Sequence, residues 1–235
     1  MMTLVTWLGP VLELGVLTGL IVRRRLSQAA TLPLLLFALV LTDATVAVYP
    51  QYNTWDFWLT KEFVHAALFL LLALELSHKA FADPAAHRAA RRWVTLVIAL
   101  TILLIVAAPH GRLIVEVLPR LMGSLAWLYL GLAVVMLRYN ARIAPLHDAI
   151  LTGFAPYLII YAATWNRASE STSAANIVNP LVFFVVLIAL ARAAWSRPSG
   201  NDAPWLARRL RPSSTSPDAS ARRTRFALAL ATRSA

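Results

Sequence analysis

Residues 49–81 read YPQYNTWDFWLTKEFVHAALFLLLALELSHKAF. Tyr49, Tyr52, Trp55 and Trp58 crowd the approach, and an apolar run over 57–78 follows. A run of about 20 mostly apolar residues is the length a helix needs to cross a bilayer. Lys61, Glu62, His65 and Glu75 interrupt it. Lys61, His65, Leu68, Leu72 and Glu75 are spaced i, i+4, i+7, i+11 and i+14, which keeps them on one stripe of a helix. Three polar groups on one stripe are costly against lipid, so the stripe is expected to face other helices. Glu62 lies about 100° around from Lys61 and is expected to meet a different neighbour or water.

Six more stretches of similar character flank this one. With it they read as spanning helices at 3–22, 30–50, 57–78, 93–110, 113–137, 146–166 and 176–195. Only HGR at 110–112 separates the fourth from the fifth, which predicts a tight hairpin. The whole composition agrees: 59% of the 235 residues are hydrophobic and 14% charged. A soluble domain is closer to half and a quarter. Without cysteine there is no disulfide, thiolate nucleophile or Cys-ligated metal.

The charge of +11 is a matter of topology. Arg23, Arg24 and Arg25 follow the first helix rather than precede it, the reverse of a cleaved signal peptide. Lys79, Arg88, Arg91 and Arg92 follow the third helix, and Arg138 and Arg142 the fifth. Arg192 closes the seventh, and residues 196–235 add eight more arginines. Thus 18 of the 22 basic residues fall on one side, with Lys61, Arg112, Arg120 and Arg167 the exceptions. The positive-inside rule then predicts an N-terminus outside and a C-terminus inside. Trp7, Trp55, Trp58 and Trp165 fall near outer ends, and Trp93 and Trp195 near inner ends, as in an aromatic belt. The expected fold is all-α, a polytopic membrane bundle of seven transmembrane helices over 1–195. A basic, mostly disordered cytoplasmic tail over 196–235 follows, suited to anionic lipid. Nucleic acid is not expected as a partner, because topology accounts for the basic residues. Twenty of the 22 are arginine, and alanine is abundant, which suits a GC-rich bacterium and its inner membrane.

Charges left inside the membrane are the functional candidates, since each costs several kcal/mol at the bilayer centre. Beside Lys61, Glu62 and His65 these are Glu13 in the first helix, Asp43 in the second, and Glu116 with Arg120 in the fifth. Glu116 and Arg120 stand i, i+4 and can pair within the helix. Their line continues through Gly123 or Ser124 to Trp127 and Gly131, small residues that allow close helix approach. Arg120 is expected to answer Glu116, and Asp43 or Glu62 across the bundle. Asp43, Lys61, Glu62, His65, Glu116 and Arg120 are therefore the candidate ligand-binding or buried polar network. Two readings fit them: ion pairs that fix helix register, or a ligand or ion cavity in the outer half.

Catalytic and cofactor chemistry finds little support. Glu62-x-x-His65 and Glu75-x-x-His78 resemble half-sites of carboxylate-bridged metal centres. They share one helix about 20 Å apart and cannot hold one metal. The seventh helix has no lysine for a retinal Schiff base, and no phosphate loop or HExxH zinc motif occurs. No cofactor, metal or catalytic residue is expected.

The aromatics before the helix, then Glu62, Glu75 and Phe81, resemble a group of uncharacterised bacterial seven-helix integral membrane proteins. More distantly they resemble the seven-helix sensor modules of bacterial histidine kinases. That resemblance implies a sensor with a signalling partner. The expected function is a non-enzymatic sensor or a small-ligand or lipid-binding protein. A small-solute or ion transporter or channel, and an assembly or scaffold protein, are the alternatives.

Overall fold

The structure, a computed structural model, describes residues 2–81, 83–106, 113–141, 143–166 and 172–196; the side chains of 2–6, 113–116, 119, 165–166 and 172–176 fall outside that description. Seven α-helices follow one another: α1 (Met2–Val22), α2 (Thr31–Val48), α3 (Trp55–Lys79), α4 (Pro84–Val106), α5 (Leu113–Arg138), α6 (Pro145–Asn166) and α7 (Thr172–Trp195). A 3-10 turn at Pro50–Tyr52 joins α2 to α3. The described chain is all-helical.

Six of the helices have spans long and apolar enough to cross a membrane. Within α1 the described apolar part, Trp7–Val22, is shorter. Large apolar residues cover the outside: Val106 is 70% exposed, Val185 67% and Leu103 62%. A soluble protein cannot hold so much contiguous apolar surface in water; this is a multi-pass membrane bundle.

The chain runs up and down between two ends. One end holds the α2–α3 turn. The opposite end holds Arg23–Arg25, Lys79, Arg88, Arg91, Arg92, Arg138 and Arg192, and is called the basic end. Arg142, and every basic residue after 196, lie outside the described residues. So do Arg112, Arg167, the HGR hairpin, the loop 167–171 and the tail 197–235.

The helices pack as a ring of six with one outside it. The ring runs α1, α2, α3, α5, α6, α7 and back to α1, while α4 packs against α5 and α3. α4 begins at Pro84, nine residues before the expected 93. Its first turns carry Arg88, Arg91 and Arg92, so hydropathy misses them. Asp83 starts the helix, its Oδ1 accepting the N–H groups of Ala85 at 2.7 Å and Ala86 at 3.2 Å.

Toward the basic end the ring is close-packed. Leu20, Leu32, Leu36, Leu76, Leu151 and Leu190 are all fully buried. Arg25 crosses to α7, donating to the carbonyls of Ala193 at 2.8 Å and Ser196 at 2.7 Å. His147 Nε2 meets the Gln28 carbonyl at 2.9 Å. Glu75 is committed here too: Oε1 accepts from Ala30 N at 2.7 Å and Oε2 from Thr31 N at 2.8 Å. These are first-turn amides of α2, whose own N-cap, Ala30, offers no side-chain acceptor. Midway, Phe69, Tyr129 and Phe154 meet edge to face. The Tyr129 hydroxyl donates to the Phe69 carbonyl at 2.9 Å.

Candidate functional site

Beyond this aromatic cluster the ring opens. A cavity of about 930 Å³ occupies the half of the bundle at the α2–α3 turn. All six ring helices line it and α4 does not. Leu39, Phe69, Met122 and Leu158 form its floor. Phe57, Trp58, Tyr157, Phe183 and Phe184 supply aromatic walls, and Asn53 stands at the turn.

On α1, α2 and α3 the polar residues stand on the stripe that is buried lower down. On α2, Leu32, Leu36 and Leu39 lead at helical spacing to Asp43 and then Val46 and Ala47. On α3 the buried stripe is Glu62, His65, Phe69, Leu72 and Leu76. On α1, Gly9, Glu13, Val16 and Leu20 are buried in register, with Gly9 at the cavity and Glu13 one turn below. Pro10, Pro156 and Pro180 interrupt α1, α6 and α7 at this level. Proline removes a backbone bond within a helix, and in membranes such breaks are tolerated where they are buried or line a cavity.

Of the six candidate residues, Asp43, Lys61, Glu62 and His65 line this one cavity. Lys61 Nζ stands 3.8 Å from Asp43 Oδ1. Tyr161, from α6, is the side-chain hydrogen-bond partner of Glu62. The Ala38 carbonyl of α2 is the backbone partner of His65. The His65 ring nitrogen Nε2 is buried with no hydrogen-bond partner among the described residues. Beneath them Glu13 is fully buried, and neither carboxylate oxygen has a described partner. Asp43 and Lys61 are close enough for their charges to act on it.

Glu62 shares the buried face of α3 with His65 but meets a different helix, α6 rather than α2, and Lys61 sits at the edge of that face. A lysine stem follows apolar surface while its ammonium seeks water, so its position marks the margin of a stripe better than its centre. Arg120 does not line the cavity. Its Nη1 donates to the Leu104 carbonyl of α4 at 2.9 Å. Arg120, the Trp127 carbonyl and Gly131 meet α4, while α5 turns Leu118, Met122, Leu125 and Tyr129 into the ring. The side chain of Glu116 lies outside the described residues.

The residues the sequence left unremarked are Tyr157 and Tyr161. Asn179 Nδ2 donates to Thr164 Oγ1 at 2.9 Å and joins α7 to α6 beside the cavity. No spacing pattern marks tyrosines in an apolar helix as site residues. Among the described residues no group of three or more His, Asp or Glu side chains could hold a metal ion. The chemistry of the site is that of a binding pocket: an apolar and aromatic cup with a few convergent polar groups. Comparison of the chain with protein families, curated proteins and solved structures finds no match.

Proposed function

We propose that this chain is a seven-span protein of a bacterial inner membrane, N-terminus and cavity mouth outside, that binds a small, mostly apolar ligand in the ring cavity. It acts as a sensor, and a partner protein carries the output. The observation that carries this reading is the convergence of Asp43, Lys61, Glu62 and His65 on one cavity of about 930 Å³. Ligand pockets commonly hold about 300–1,000 Å³. The gathering of basic residues at the opposite end supports the orientation. Asp43 faces Lys61, and Glu62 faces Tyr161, which supports binding over acid–base catalysis. The bilayer is the other partner, with anionic lipid beneath the basic tail.

Native mass spectrometry of protein extracted from its own membrane tests this reading. The expected spectrum carries a small-molecule adduct that disappears in Ala47→Trp, where an indole fills the cavity. Identical spectra for the two proteins sink the reading. Glu13 favours transport as a second reading, because a buried carboxylate without a partner below a cavity suits a passing cation. Cation flux into proteoliposomes that is lost in Asp43→Asn would establish it over the sensor.

A further inference from the structure

The charges around the cavity do not balance. Asp43 and Glu62 line it, and Glu13 lies directly beneath on the same stripe of α1. Lys61 is the one ammonium or guanidinium group lining it among the described residues. Its charge acts on all three carboxylates. Arg120, the cation the sequence offers as a second partner, is turned to the Leu104 carbonyl on the far side of α5. The two lining carboxylates against one ammonium leave a local excess of negative charge, and low-dielectric walls strengthen its field.

Two further features point to what balances that excess. His65 is 4% exposed and holds an unpartnered Nε2 in the cavity wall. In the neutral tautomer protonated on Nδ1, Nε2 is an acceptor. Aromatic faces surround the same space: Tyr157 lies 5.1 Å from Phe183 by ring centroids, and Trp58 lines the opposite wall. Aromatic faces attract cations through the ring quadrupole. Carboxylates, an acceptor nitrogen and aromatic faces all suit a positive group. The apolar floor suits a hydrocarbon body.

We infer that the ligand of this cavity is an amphipathic organic cation, an ammonium joined to an apolar or aromatic body. The ammonium sits between Asp43 and Glu62, and the body lies on Phe69 and Met122. This inference rests on the reading of the cavity as a ligand site, and the experiment separates the two.

The chain has no native cysteine, so Ala47→Cys places a single thiol in the cavity wall. The full chain in detergent is labelled with uncharged N-ethylmaleimide. Benzyltrimethylammonium or its anionic counterpart, phenylmethanesulfonate, serves as protectant. Gln51→Cys, exposed at the turn, is the control. The expected result is saturable slowing at position 47 by roughly 10-fold with the cation, the lower end of what charge focusing in a cleft achieves. The anion has no effect, and the double change Asp43→Asn with Glu62→Gln erases the protection. Equal protection by both ions, or by neither while labelling continues, overturns the cation and leaves the cavity standing. A thiol at 47 that never reacts while Gln51→Cys does shows a closed site and removes the binding reading with it. Val46→Cys repeats the test if Ala47→Cys does not fold.

Discussion

Glu75 shows what a single residue can and cannot reveal. As a carboxylate on the bundle side of an apolar helix it was visible in sequence. Its task was not, because the amides it caps lie 44 and 45 residues away. The free N–H groups of a helix start carry partial positive charge, so a carboxylate there is favoured both as acceptor and as charge. Lys79 Nζ, 2.8 Å away, completes the group. Glu75→Ala is expected to lower stability by about 1–2 kcal/mol, the range for losing a helix cap, with Glu75→Gln intermediate. Thermal unfolding in detergent measures both; an unchanged midpoint for Glu75→Ala would remove the cap from the account. Asp43, Lys61, Glu62 and His65 were legible as candidates for a simpler reason. A charge in an apolar helix must find company, whatever that company is. Arg120 obeys the same rule with the Leu104 carbonyl among its partners, and a sequence does not foretell a carbonyl partner on another helix.

Helices meet in this bundle through one repeated device. Trp93 Nε1 on α4 donates to the Trp127 carbonyl of α5 at 3.2 Å, and Trp195 Nε1 on α7 donates to the Gly15 carbonyl of α1 at 3.1 Å. Each indole reaches over a glycine four residues after its acceptor. A methyl on Gly131 would overlap the Trp93 indole, and one on Gly19 would stand 2.7 Å from Trp195 Nε1. Nothing lies within 4 Å of a methyl at Gly123. Gly131→Ala and Gly19→Ala are therefore expected to destabilise by about 1–3 kcal/mol, as overpacking does, whereas Gly123→Ala is neutral or stabilising by helix propensity. Thermal melts that place all three together would refute the device. The sequence pointed to Gly123, Trp127 and Gly131 as a packing line but could not name the partner, since the Trp127 ring itself faces outward, 63% exposed. Element boundaries divided the same way. Hydropathy found each apolar span within a few residues, but missed the amphipathic start of α4, where arginines continue a helix past the apolar stretch.

At the scale of the molecule, the ring has two halves of different character. Leucines close the half toward the basic end, and polar and aromatic residues hold the other half open. Six spans long and apolar enough to cross a membrane could be read from sequence, because bilayer thickness acts on local composition. The ring order could not. It depends on α4 standing aside so that α3 meets α5, and no local pattern records which of seven apolar helices is peripheral. The cavity is proposed to open to the outer face of the membrane. Single cysteines at Asn53, Ala47 and Ser27, labelled in intact cells with a membrane-impermeant maleimide, test it most directly. Asn53→Cys and Ala47→Cys are expected to label at once, and Ser27→Cys only after permeabilisation. Labelling of Ser27→Cys in intact cells would invert the topology, and an inert Ala47→Cys beside a reactive Asn53→Cys would contradict the open cavity.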